Sequence, residues 1–156
     1  MAARAHIFQI NASQGGVPKY PIFEAEVNEL GLSADAHRNT KAHGGPERAL
    51  CLYALELILA LQQEGHAIFP GSTGENITIA GLDWERVAPG TRLTLGDDVL
   101  VEVTRYTTPC ASIAASFLGL DSSRLSQEKH PGWARVYARV LRSGRIHVSD
   151  AVRIVE

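Results

Sequence analysis

Along this chain, short runs of alternating apolar and polar residues far outnumber runs at helical spacing. Val99, Val101 and Val103 alternate with Leu100 and Glu102 and predict a half-buried strand. Comparable short strands are predicted over residues 5–10, 24–30, 75–81, 91–96, 133–141, 145–148 and 151–155. Residues 48–53 form a further strand, apolar enough to be central, and Asp97-Asp98 joins two neighbours as a hairpin. Helical spacing is clearest in residues 54–64, where Leu55, Ile58, Leu59 and Gln62 lie on adjoining turns and Gly65 supplies the stop. A second helix is predicted after Thr108 as N-cap and Pro109 as first residue, with Ile113 and Phe117 on one face and Gly119 as its end. Residues 121–131 read as a short helix or surface loop. About eight short strands with glycine and proline turns predict a mainly β chain, a barrel or sandwich carrying two or three short helices.

The 156 residues fit one domain spanning 1–156, with a core large enough to need no disulfide or metal. A net charge of −2 gives no basic footprint, so nucleic acid is not expected as a partner. No apolar run is long enough to cross a membrane and the N-terminus lacks the apolar core of a secretion signal, which predicts a cytoplasmic protein. The two cysteines, Cys51 and Cys110, then read as reduced thiols. Cys51 falls in the central strand and reads as core. Cys110 has two readings: a small buried hydrophobe, or a thiolate presented in the first turn of the second helix, where backbone N–H groups favour negative charge.

Phosphate-binding, dinucleotide-binding, zincin and nucleophile-elbow motifs are absent. The polar loop over residues 31–48 concentrates Asp35, His37, Arg38, Lys41, His43 and Arg48. Asp35, His37 and His43 are of metal-ligating type, but a closed zinc site normally takes four ligands. An anion is the better expectation: His43-Gly44-Gly45 can turn successive N–H groups outward, with Lys41 and Arg48 beside them. Gly71-Ser-Thr-Gly74-Glu75-Asn76 is a second loop whose small residues permit close approach to a ligand, with Glu75 and Asn76 adding polar groups.

Taken in order, Gly31-x3-Asp35-x-His37, His43-Gly-Gly-Pro-x-Arg48-Ala-Leu, Leu52-Tyr-x2-Glu56, Pro70-Gly-x2-Gly74-Glu75-Asn76, Pro109-Cys110 and Tyr137-Ala-Arg-Val140 with Gly144 resemble the MOSC family, named for the C-terminal domain of molybdenum-cofactor sulfurases. The resemblance implies a β-barrel-like MOSC fold in a stand-alone domain. It also implies a molybdenum–molybdopterin cofactor, with Cys110 as metal ligand and catalytic residue. Lys41, His43, Gly44, Gly45 and Arg48, together with Gly74, Glu75 and Asn76, would surround the pterin and its phosphate. The implied activity is reduction of N-hydroxylated small molecules, with electrons from a separate redox partner protein. The alternative is a carrier of persulfide sulfur or cofactor, delivering to a client without turnover of its own. Thr107-Thr108 stand where relatives often carry arginine, although Arg105 is close. The implied geometry has Cys110 opening into a cleft shared with His43 and Asn76.

Overall fold

The structure, a computed structural model, describes residues 4–35 and 45–156. Among these, eleven strands form two sheets, with one α-helix and five short 3₁₀ helices. The strands are β1 (His6–Ala12), β2 (Tyr20–Ile22), β3 (Glu24–Asn28), β4 (Gly31–Leu32), β5 (Leu50–Ala54), β6 (Ile77–Ala80), β7 (Arg92–Leu95), β8 (Val99–Tyr106), β9 (Val136–Arg142), β10 (Gly144–His147) and β11 (Val152–Val155). The larger sheet runs β11-β7-β8-β9-β5-β6-β1-β2 and the smaller β10-β3-β4. The mainly β expectation holds. An isolated bridge from His6 to Ala151 brings the start of β1 to the residue before β11, but no closed barrel is found among the described residues.

Among the described strands every ladder is antiparallel except β5 with β6. Two parallel neighbours need a crossover, and the helix α1 (Leu55–Gln63) begins that connection. All five residues of β5 are buried, as expected of an apolar central strand. One apolar cluster, including Ile7, Leu52, Ile77, Leu93, Val101 and Val136, fills the space between the sheets. A second lies under α1: Tyr53, Ile58, Leu61, Ile68, Ile113, Phe117 and Leu125. The Tyr53 hydroxyl donates to the Trp133 carbonyl at 2.7 Å. The second cluster anchors the segment following Cys110, because Ile113 and Phe117 both belong to it.

The second helix departs from expectation. It is a 3₁₀ helix, Ala111–Ser116, and Cys110 precedes it in extended conformation (φ −132°, ψ 174°) rather than lying in its first turn. Phe117 is also extended, which ends the helix after six residues as its ring enters the core. The strand expected over 133–141 begins only at Val136.

Candidate functional site

Strand β8 delivers Thr107-Thr108-Pro109 to Cys110 at its far end. Proline disfavours the helical region for Thr108 before it, and Cys110 itself is extended ahead of the 3₁₀ helix. Cys110 is exposed and unbridged. Its Sγ lies 2.7 Å from Ser112 Oγ. Its carbonyl accepts from the Ile113 N–H at 3.2 Å and from Ser122 Oγ at 3.3 Å. The buried-hydrophobe reading of Cys110 is therefore overturned. Activation by a helix N-terminus is overturned as well, because the thiol meets a serine hydroxyl ahead of a short 3₁₀ turn.

The Gly71–Asn76 loop faces inward. Gly71 has φ +90°, and a Cβ there would meet the Lys19 carbonyl oxygen at 2.4 Å, so this glycine admits another stretch of backbone. Lys19 N–H donates to the Gly71 carbonyl at 2.9 Å. Gly74 packs against Val17, which a Cβ would meet at 3.0 Å. Glu75 is fully buried; its carboxylate accepts from Gly71 N–H (3.1 Å), Thr73 Oγ1 (3.0 Å) and Thr78 Oγ1 (3.1 Å). Burial pushes its pKa up, and those donors oppose the shift only partly.

Asn76 extends the edge of β5. Its N–H donates to the Cys51 carbonyl at 2.7 Å, and its Oδ1 accepts from Cys51 N–H at 2.9 Å. Its Nδ2 donates to Asp35 Oδ2 at 2.9 Å. Asp35 also accepts from Ser13 N–H at 2.9 Å and from Lys19 Nζ at 2.6 Å, in an ion pair whose side chains are almost wholly buried. Both expected polar groups of this loop are thus engaged by the protein itself. Asn76 is buried while Cys110 is exposed, so the two do not share an open surface.

Between these regions lie Cys51, Arg135 and Tyr137. Cys51 is buried, as expected, and burial pushes its thiol pKa up to about 11, with Arg135 opposing. Tyr137 is the register partner of Cys51 and is half-buried. Burial raises its phenol pKa; Cys51 and, more weakly, Cys110 add to the rise, while Arg135 and Arg48 oppose it. The Arg48 guanidinium sits over the Tyr137 ring, 5.8 Å from its centroid. Gly45, at φ +83°, precedes the 3₁₀ turn Pro46–Arg48. Lys41, His43, Gly44 and His37 lie outside the described residues. Among the described residues no group of three metal-ligating side chains is found, and no helix is long and apolar enough to cross a membrane.

Two buried polar atoms nearby lack a partner among the described residues: Arg135 Nε and Thr107 Oγ1. They belong to neighbouring backbones, since Thr107 N–H donates to the Arg135 carbonyl at 2.9 Å. Arg135 and Lys19 are both buried, yet among the described residues only Lys19 has a carboxylate in contact. Uncommitted donor capacity beside a buried cation, three residues from an exposed soft thiol, fits an anionic group carrying a polarisable metal. Sequence reasoning missed Lys19, Arg135 and Ser112, and singled out Thr107 only as a departure from the family pattern. A lysine between valine-proline and tyrosine, and an arginine at the mouth of a strand, give no sign of burial before the chain is folded.

The motif order and this mainly β frame define the class: the MOSC domain model matches residues 39–153, and the chain belongs to that family. It is 29% identical over 137 residues to Protein YiiM of Escherichia coli K12, covering 85% of this chain and 59% of that protein. It is 32% identical over 116 residues to YflK of Bacillus subtilis, covering 74% of this chain and 51% of that protein. It is 30% identical over 141 residues to a protein of Gibberella moniliformis named Reductase, covering 87% of this chain and 24% of that protein. The chain thus spans from a quarter to about three-fifths of the length of these curated relatives. The crystal structure of YiiM from Geobacillus stearothermophilus shares the fold, with TM-score 0.75 at 24% identity over 97% of this chain and 75% of that one.

Proposed function

We propose that this MOSC chain binds a molybdenum–molybdopterin cofactor through Cys110 and serves in the reduction of N-hydroxylated small molecules. The observation that carries the reading is the placement of Cys110: exposed, unbridged and fixed by hydrogen bonds at the end of β8. A thiolate is a soft ligand suited to such a metal. The fungal relative named Reductase gives the activity class its support.

When bound, the metal centre supplies oxygen-atom transfer coupled to two electrons. The rest is asked of the chain. Cys110 holds the metal. Arg48 and Gly45 would hold the pterin and its phosphate; Lys41, His43 and Gly44, assigned to the same role by the family resemblance, lie outside the described residues. Gly74, Glu75 and Asn76 contribute by fixing the backbone between residue 71 and β5, since their polar groups are spent on protein partners. Arg135 adds positive charge behind Tyr137. Electrons come from a separate redox partner protein, and the setting is cytoplasmic.

Metal analysis of the purified protein tests this reading. Wild type is expected to carry molybdenum and Cys110→Ser to lose it; equal molybdenum in both would sink the assignment. The exposure of Cys110 also favours a second reading, in which the thiol carries persulfide to a client protein. An extra sulfur atom on the Cys110 peptide, in protein purified without reductant and lacking molybdenum, would select the carrier.

A further inference from the structure

We infer that Thr107 and Arg135 form a buried seat for a tetrahedral oxyanion of the phosphate class. The seat is a pair in register. Tyr106 lies opposite Val136 at the end of the β8–β9 ladder, and the bond from Thr107 N–H to the Arg135 carbonyl carries that pairing one residue further. Residues directly opposite on antiparallel strands send their side chains to one face. Val136 and Tyr106 pack into the main core, so Thr107 and Arg135 turn to the other face. Half-buried Tyr137 and exposed Arg105 stand opposite one another two residues along that face. Thr107 is 3% exposed and Arg135 6%. In each, one polar atom has no partner among the described residues: Thr107 Oγ1 and Arg135 Nε. A buried donor left unpaired has given up water and gained nothing, so two on one register pair point to a missing ligand. The guanidinium is already anchored, because its Nη1 donates to the Thr73 carbonyl, and Nε is left as an uncommitted donor. Its charge is not met in contact: Glu75 is joined to Arg135 through Thr73, whose hydroxyl donates to that carboxylate at 3.0 Å. An anion seated on Nε and Oγ1 supplies both bonds and the charge. Donors projecting from two strands approach from separate directions, which suits a tetrahedral phosphate better than a flat carboxylate. The inference goes beyond the reading of Cys110, since the seat asks for an oxyanion whether or not that thiol holds a metal.

Calorimetric titration of cofactor-free protein, purified in phosphate-free buffer from a host unable to make the pterin, tests the seat. Inorganic phosphate is expected to bind one to one, and acetate several-fold more weakly. Thr107→Val keeps the shape and removes the hydroxyl; it should weaken phosphate about tenfold, the effect of one hydrogen bond to a charged group. Arg135→Gln should abolish binding, and Arg135→Lys, which keeps the charge without the fork, should leave it weakened. Thr107→Val decides alone if Arg135→Gln does not fold. Without anion, Thr107→Val should unfold at the wild-type temperature or above, because it removes a buried hydroxyl that has no protein partner. That measurement separates an empty seat from a structural hydroxyl. Methyl phosphate separates the sources: binding at least as tight as phosphate assigns the seat to a phosphate ester, and exclusion assigns it to a free oxyanion. Either result supports the seat. The inference is overturned by no saturable binding of phosphate, by acetate binding as tightly, by equal phosphate affinity in wild type and Thr107→Val, or by a lower unfolding temperature of Thr107→Val without anion. Cys110→Ser should bind phosphate as wild type does, so its molybdenum content judges the cofactor reading separately.

Discussion

Cys51 and Cys110 carry the same side chain into opposite environments. Cys51 sits in β5, every residue of which is buried, with its N–H and carbonyl paired to Asn76 and its thiol pushed by burial to a pKa of about 11. Cys110 stands exposed beyond β8 against a serine hydroxyl. The same contrast holds for the surroundings. Around Cys51 the polar groups of Asp35, Glu75 and Asn76 are consumed by the protein. Around Cys110 they brace backbone and sulfur and leave the thiol open. Burial with full satisfaction makes a scaffold, whereas exposure with a fixed backbone makes a reactive position.

The largest effect that could break this comparison is in thiol reactivity. At neutral pH the two thiols of the folded protein should differ in alkylation rate by more than about a hundredfold, because Cys51 is both sealed and almost entirely protonated. Peptide-resolved mass spectrometry checks it; comparable rates would remove the distinction. Next is the scaffold itself. Asp35→Ala leaves the buried Lys19 ammonium without its carboxylate and should cost about 3–5 kcal/mol in urea unfolding. An unchanged midpoint would show that the pair does not brace the loop.

A smaller effect is linked to pH. The Cys51 pKa is raised from 9.0 unfolded to about 11 folded, so the native state holds its proton while the unfolded state releases it. Between these values stability falls as pH rises, and the contribution is fully present only below pH 9. Cys51→Ala should flatten this loss by about 2–3 kcal/mol, read as unfolding free energy at pH 8 against pH 11. Parallel curves would contradict the burial argument.

Much of the frame was legible in residue order. Alternation in Val99–Val103 and the apolar run at Leu50–Tyr53 predict strands that β8 and β5 confirm, and Gly65 ends α1 where expected. The parallel pairing of β5 with β6 was not legible, since periodicity reports a strand and not its neighbour. The helix after Pro109 was over-read. Ile113 and Phe117 have α-helical spacing, but burying Phe117 against α1 turns its backbone extended.

By itself, then, the sequence determined the mainly β class, the central position of Cys51 and the motif order that marks the MOSC family. These depend on local periodicity and on residue identity, which are written along the chain. Tertiary structure alone decided that the Gly71–Asn76 loop turns inward, that Lys19 and Asp35 pair in the interior, and that Ser112 meets Cys110. Polar side chains take whichever partners folding brings within about 3 Å, and those partners come from distant segments. Residue type gives the capacity to bond; only the packed chain settles whether that capacity faces a ligand or the protein.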